Sequence, residues 1–106
     1  MTTSAVTIDV DGVRHYHAIH GLPAPPPTAR DPIVEAGVRR FLDACDRVGV
    51  QGTLFVVGAD LADDAFAALL HKAARAGHEI ASHSFAHDYA LTKRDAAFVD
   101  DDIARS

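Results

Sequence analysis

Three short apolar segments in the chain have the character of β-strands. Residues 5–10, Ala-Val-Thr-Ile-Asp-Val, are rich in β-branched side chains and predict a first strand. Residues 52–58 form a continuous apolar run bounded by glycines, which is typical of a strand buried on both faces. Residues 78–82 predict a short third strand.

Between these segments, apolar residues recur at three- and four-residue steps, which indicates helices with one buried face. The two helical segments are 33–48 and 61–73, and Thr92 or Asp95 can cap a last helix at the end of the chain. Strands that alternate with helices pair in parallel through right-handed crossovers. The sequence therefore predicts an α/β fold, a parallel βαβαβα unit.

A polar, proline-rich stretch at 12–32 interrupts this pattern. It is longer than the roughly 12–15 residues beyond which connections inside a compact domain become unusual. We predict a loop that forms a wall or lid beside a site. His15, His17 and His20 lie in it without an interleaved carboxylate or thiol, so they are expected in a polar loop or substrate wall, with a separate metal site as the alternative.

Composition favours a single ordinary domain over the 106 residues, because 48% apolar and 24% charged residues are close to globular averages. The net charge of −5 provides no basic surface for nucleic acid. No apolar run approaches the roughly 18 residues that span a membrane. The first residues lack a secretory signal, so a cytoplasmic protein is expected. The single cysteine, Cys45, is expected to be a buried core thiol.

Two polar motifs follow predicted strands. Asp9 and Asp11 end the first strand, and His83 and His87 follow the third. The carboxyl ends of parallel strands meet at one edge of the sheet, where ligands bind. Two imidazoles and one carboxylate can hold a divalent ion, and a second carboxylate can take a proton from water. This pattern favours a hydrolytic metal site.

Other interpretations of these residues stay open at this point. The facial triad of non-haem iron oxygenases uses the same donors, and a degraded, non-enzymatic module is a further alternative. The acidic run at 100–102 is expected to be a solvated helix face, because consecutive helical residues point in different directions. His78 and Glu79 are expected to have structural roles.

At these motifs the sequence resembles the polysaccharide deacetylase family, also called the NodB-homology or carbohydrate esterase family 4 domain. Residues 7–11, Thr-Ile-Asp-Val-Asp, look like its first motif, in the variant with one residue between the two acids. Residues 52–58 are similar to its second-strand segment, and residues 77–87 to its histidine motif. The resemblance runs from about residue 5 to the end of the chain.

The resemblance implies that Asp9 is the catalytic base and that Asp11, His83 and His87 hold a divalent metal, with Zn²⁺ as the expected ion. The implied reaction removes an acetyl or similar acyl group from an amide nitrogen of a carbohydrate. Hydrolysis of another non-peptide C–N bond in a small molecule is the alternative. The expected partner is therefore an N-acetylated carbohydrate or a small-molecule amide.

The family's fold is a longer, incomplete (β/α) barrel whose later motifs supply an arginine, further acids and a histidine general acid. We therefore expect residues 1–106 to form the amino-terminal half of such a domain. We expect this half-domain to be completed by self-association or by a missing carboxyl-terminal half. The corresponding alternative is a catalytically inactive metal-binding or structural fragment.

Overall fold

The three predicted strands form one open parallel sheet. The structure, a computed structural model, describes residues 1–26 and 30–106. The strands are β1 (Thr7–Val10), β2 (Thr53–Val56) and β3 (Glu79–Ser82). They lie in the order β1-β2-β3, and both pairs are parallel. The α/β fold predicted from the sequence is confirmed.

The helices cover the connections between the strands. They are α1 (Val13–Ile19), α2 (Arg39–Val48), α3 (Asp64–Arg75) and α4 (Ala96–Arg105). A π-helical turn, Ile33–Val38, leads directly into α2, and short 3₁₀ helices span Gly58–Ala62 and Leu91–Lys93. In the part of the chain that the structure covers, no helix combines the length and apolar character needed to cross a membrane.

Side-chain caps fix the starts of the last two helices. The Asp63 carboxylate accepts hydrogen bonds from the first amides of α3, and Asp95 accepts one from Phe98 N at 2.9 Å. These contacts satisfy amide groups that have no partner within the helix. Of the two caps predicted for the last helix, Asp95 is the correct one.

One face of the sheet packs against helices and forms the core. Val10 and the alternate β2 residues Leu54 and Val56 are buried on this face. They contact apolar side chains from the π-helical turn and α3, which are Val38, Phe66, Leu69 and Leu70. Cys45 is also buried, as predicted.

The prediction that β2 is buried on both faces is wrong. Thr53 and Phe55 point to the opposite face from Leu54 and are only half-buried. Register places Asp9 and Ala81 on either side of Phe55. Thr7, Asp9 and Glu79 are exposed on this second face, so it is accessible to solvent at these positions.

The prediction of a loop over 12–32 needs a correction. Residues 13–19 form α1, whose apolar side chains do not recur on one buried face: Tyr16 and Ile19 are exposed and His15 is buried. The helix therefore lacks the apolar periodicity by which the other helices were predicted. The part of that prediction at 27–29 lies outside the described residues.

Candidate metal centre

The sheet register brings the first and third strands to the same level at their carboxyl ends. Val10 is level with Val56, and Val56 with Ser82. Asp11 and His83 each follow this row by one residue. Their strands flank β2, so they start about 9.6 Å apart, which is two strand spacings. Their side chains meet across the end of β2.

Three predicted ligand atoms converge at this rim. Asp11 Oδ1 lies 3.2 Å from His83 Nε2 and 3.4 Å from His87 Nε2. One ligand atom from each of the three residues lies within 4.8 Å of the other two. In the described ranges this is the only His/Cys/Asp/Glu group with such convergence.

These separations fit a shared cation better than direct hydrogen bonds. Zn²⁺ ligands at 2.0–2.2 Å in a tetrahedral site lie roughly 3.3–3.6 Å from one another. Asp11 Oδ1 is buried and forms no hydrogen bond of acceptable geometry with its described surroundings. A buried carboxylate oxygen without a donor is costly unless a cation compensates it. The donor set therefore fits a divalent ion.

Burial of His87 favours the form of its imidazole that binds metals. Burial lowers its pKa below the ordinary value, and the nearby Asp11 carboxylate only partly opposes this effect. A neutral imidazole offers a lone pair to a metal, whereas a protonated one does not. The ring packs against three aromatic neighbours, with centroid distances of 4.6 Å to His15, 5.0 Å to His83 and 4.8 Å to Tyr89.

Asp9 stands apart from the convergent group. It lies two residues before Asp11, on the same side of the strand by alternation. Asp9 is exposed on the face of the sheet opposite the core and takes no part in the three-residue cluster. Among the described residues it has no side-chain hydrogen-bond or ion-pair partner.

A model of the polysaccharide deacetylase family matches residues 29–106 of the chain. The chain belongs to the polysaccharide deacetylase family. No curated protein and no solved structure matches it significantly. The family match includes His83 and His87, whereas Asp9 and Asp11 precede the matched residues. The place of Asp11 in the cluster thus depends on the structure and on the motif at 7–11, and the role of Asp9 depends on the motif alone.

Residues near the amino end of this deacetylase-family chain also contribute to the centre. His15 is 4% exposed, its ring lies against His87, and its Nε2 is 3.2 Å from Asp60 Oδ2. Arg14 pairs with the other oxygen of Asp60. His15 and His17 therefore lie in helix α1 and not in the predicted polar loop, and a role in a substrate wall stays a prediction. His17 bonds Pro23 O at 2.6 Å, and His20 is exposed.

Asp31 fixes the path of the chain just after Asp11. Its two carboxylate oxygens accept hydrogen bonds from Val13 N at 2.8 Å and Ile33 N at 2.9 Å. A Cβ on Gly12 would lie 2.8 Å from Asp31 Oδ2, so a larger residue at this position would require the Asp31 carboxylate to shift. The role of Asp31 was not predicted, because nothing in the local sequence indicates that it reaches a residue eighteen positions away.

The segment from Ser82 to Asp88, here named the histidine loop, has an unusual backbone. Ser84 and His87 have φ values of 62° and 53°. For residues other than glycine this conformation costs on the order of 1–3 kcal/mol and persists only when the surroundings enforce it. Ser84 Oγ accepts a hydrogen bond from His87 N at 3.1 Å, which closes the loop on itself.

The far end of the histidine loop is anchored by Asp88. Its carboxylate accepts hydrogen bonds from Ala90 N at 2.7 Å and Arg94 Nε at 2.6 Å. The bond from Ala90 N, followed by the one from Arg94, lowers the pKa of Asp88 below its ordinary value. The carboxylate thus stays charged where the chain leaves His87.

The acidic run at 100–102 is not uniformly solvated, contrary to the prediction. Asp100 and Asp101 are exposed, but Asp102 is buried and bonds to the histidine loop. Asp102 is buried because its side chain faces residues 85 and 86, which are distant from it in the sequence.

His78 and Glu79 make contacts at the sheet, where they accept hydrogen bonds from Gly52 N and Thr53 Oγ1.

A cavity of about 270 Å³ opens beside the two histidines. It is lined by Ser82, His83, Ser84, His87, Asp88 and Tyr89. A larger cavity of about 410 Å³ lies between α2 and α3, and none of the convergent residues lines it. The smaller cavity is the one of these two that adjoins residues of the convergent cluster.

Proposed function

We propose that this chain carries the metal centre of a hydrolase that removes an acetyl or similar acyl group from an amide nitrogen of a carbohydrate. The observation that carries the proposal is the convergence of Asp11 Oδ1, His83 Nε2 and His87 Nε2 at one rim of the sheet. Membership of the polysaccharide deacetylase family supports hydrolysis over the oxygenase chemistry that the same donors can serve.

Asp11, His83 and His87 would hold the ion, and Zn²⁺ suits two imidazoles and one carboxylate. When bound, the ion would polarise the amide carbonyl and acidify the attacking water. Asp9 is the proposed base: its exposed carboxylate, on the same side of β1 as Asp11, takes the proton from that water. Hydrolysis adds one water across the C–N bond and gives a carboxylate and a free amine.

The substrate would enter through the cavity at the histidine loop. Tyr89 is exposed at its edge, and its ring meets that of His87 edge to face at 84°. An aromatic ring presents an apolar surface with a polar tip, which suits a sugar that has both apolar and hydroxyl-bearing sides. An N-acetylated carbohydrate is therefore the proposed substrate class.

Metal content tests the centre first. The protein should bind about one divalent ion per chain, and a His83→Ala/His87→Ala double variant should bind none, because one carboxylate alone does not hold Zn²⁺ in this way. Elemental analysis after dialysis measures the stoichiometry. The matched control is His20→Ala/His71→Ala, which removes two exposed histidines away from the rim.

Unchanged stoichiometry in the His83/His87 variant would refute the centre. His15 is unsuitable as a control because it packs directly against His87. Acetate release from an N-acetylated oligosaccharide tests the reaction separately. Metal binding with release of a carboxylate only from small-molecule amides would assign the activity to another C–N bond, and metal binding without hydrolysis of either would support the inactive module.

A further inference from the structure

Asp102 is a buried carboxylate in the second half of α4. It is 3% exposed and forms no ion pair with the described residues. Phe85 N donates to its Oδ2 at 3.0 Å, and Ala86 N donates to its Oδ1 at 2.9 Å. Burying a charge is costly unless hydrogen bonds compensate it, and bonds to an ionised acceptor are the strong ones. Each oxygen of the Asp102 carboxylate therefore accepts one hydrogen bond from the backbone of the histidine loop.

The two amides lie between the proposed metal ligands. Phe85 follows His83 by two residues, and Ala86 directly precedes His87. A carboxylate that binds both amides fixes the orientation of two consecutive peptide groups. It thereby sets how the chain leaves one ligand and approaches the other.

The opposite side of the same peptides is held by the segment after β2. Gly58 N donates to Ser84 O at 3.0 Å, and Ala59 N donates to Phe85 O at 2.9 Å. The Arg105 guanidinium lies 3.8 Å from the centre of the Phe85 ring. The histidine loop is thus clamped between the end of β2 and α4, and Asp102 supplies both hydrogen bonds from the α4 side.

We propose that Asp102 is a positioning residue that sets the spacing of His83 and His87 for metal binding. This inference rests on the proposed metal centre. A residue that only attached α4 to the domain would need no link to the segment between the ligands. The two amide bonds at that segment, and the left-handed backbone at its two ends, point to control of ligand geometry.

The test compares Asp102→Asn with Asp100→Asn in the full chain. Asparagine keeps the shape of Asp102 but replaces one acceptor oxygen with a donor that faces an amide. The control removes the same charge from an exposed position on the same helix. Zn²⁺ affinity, measured by competition with a chromophoric chelator, should fall at least about tenfold in Asp102→Asn and stay unchanged in the control.

Two further readouts separate positioning from simple destabilisation. In metal-free protein, amide exchange at Phe85 and Ala86 should accelerate at least about tenfold in Asp102→Asn, relative to amides of β2. The absorption spectrum of the Co²⁺-substituted protein should shift, because it reports ligand geometry. If Asp102→Asn fails to fold, Asp102→Glu retains the charge, and its longer side chain should still weaken Zn²⁺ binding.

Distinct results overturn distinct statements. Wild-type Zn²⁺ affinity and Co²⁺ spectrum in a folded Asp102 variant would overturn the positioning role, even if exchange at the two amides increases. Absence of Zn²⁺ binding by the wild-type chain would instead overturn the proposed metal centre, and the positioning role with it.

Discussion

At the scale of single residues, the two acids after β1 have different surroundings although they are two positions apart. Asp11 is enclosed by the imidazoles of His83 and His87. Asp9 lies two residues earlier, on the solvent-accessible face of the sheet. An enclosed carboxylate suits a metal ligand, whereas an accessible one suits a base that must exchange protons with water. Environment, and not residue type, separates the two proposed roles.

Asp9→Asn should therefore retain the metal and lose most turnover. Removal of a general base typically costs about 10²–10⁴-fold in rate, and the asparagine cannot accept the proton. Metal stoichiometry and kcat for acetate release measure the two effects on one sample. Asp11→Asn is the comparison, and it should lose the metal. Metal loss in Asp9→Asn would move Asp9 into the ligand set, and full turnover would remove it from the reaction.

At the scale of elements, the histidine loop depends on the close approach of the residues after β2. A Cβ on Gly58 would lie 2.9 Å from the Phe85 ring and 3.3 Å from the backbone of Phe85 and of Ser106. Backbone atoms cannot move aside as a flexible side chain can. Three elements, the end of β2, the histidine loop and the end of α4, therefore meet at a position without a side chain.

Gly58→Ala should force these elements apart. We expect a loss of about 1–3 kcal/mol in the free energy of unfolding, as for other overpacked sites, together with weaker Zn²⁺ binding. Urea denaturation and chelator competition measure the two quantities. Gly37→Ala is the matched control, because its new Cβ would meet only Pro32 O at 3.8 Å. Equal stability of the two variants would show that the contact at Gly58 is not tight.

The elements that the sequence predicted correctly are those with a local signal. Apolar periodicity identified the helical segments at 33–48 and 61–73, a β-branched run identified β1, and an apolar run bounded by glycines identified β2. Helix α1 has no such signal, because it is fixed by contacts of His15 and by the Asp31 bond to Val13 N. The metal-ligand candidates were found because two motifs follow parallel strands. Asp31, Asp60 and Asp102 were missed because each acts through a distant partner.

At the scale of the whole molecule, the sheet presents one face and two strand edges to its surroundings. Within the described ranges, β1 and β3 each pair on one side only. The open face carries polar Thr7, Asp9, Thr53 and Glu79 beside Phe55 and Ala81. It is therefore less apolar than the run 52–58 indicated. We therefore expect chains to associate through the unpaired edges of β1 and β3 more than through an apolar face of the sheet.

The edge at β3 has the apolar neighbours that favour pairing. Ile80 is 37% exposed and lines a cavity of about 420 Å³ with Leu61 and Leu70. We expect the wild-type chain to self-associate at micromolar concentration, and Ile80→Lys to weaken this, because edge lysines oppose strand pairing. Light scattering over a concentration series measures the mass against 11.3 kDa for one chain.

Val48→Lys is the control for this effect, since Val48 is 71% exposed at the end of α2 and lies in no strand. It should associate as the wild type does. A wild-type mass that stays at 11.3 kDa over the whole series would show that the edge is not used.

The π-helical turn before α2 has a consequence for how this stretch can vary in length. Its hydrogen bonds close over five residues, one more than in an α-helix. Deleting one residue there, such as Glu35, would restore α-helical winding and rotate everything upstream by about 100° about the helix axis. Asp31 would then swing away from Val13 N while Val38 stayed in the core. The extra residue of the π-helical turn thus sets the rotation, about the helix axis, between Val38 in the core and the Asp31 carboxylate at the rim. A one-residue deletion here therefore needs a compensating change at Asp31.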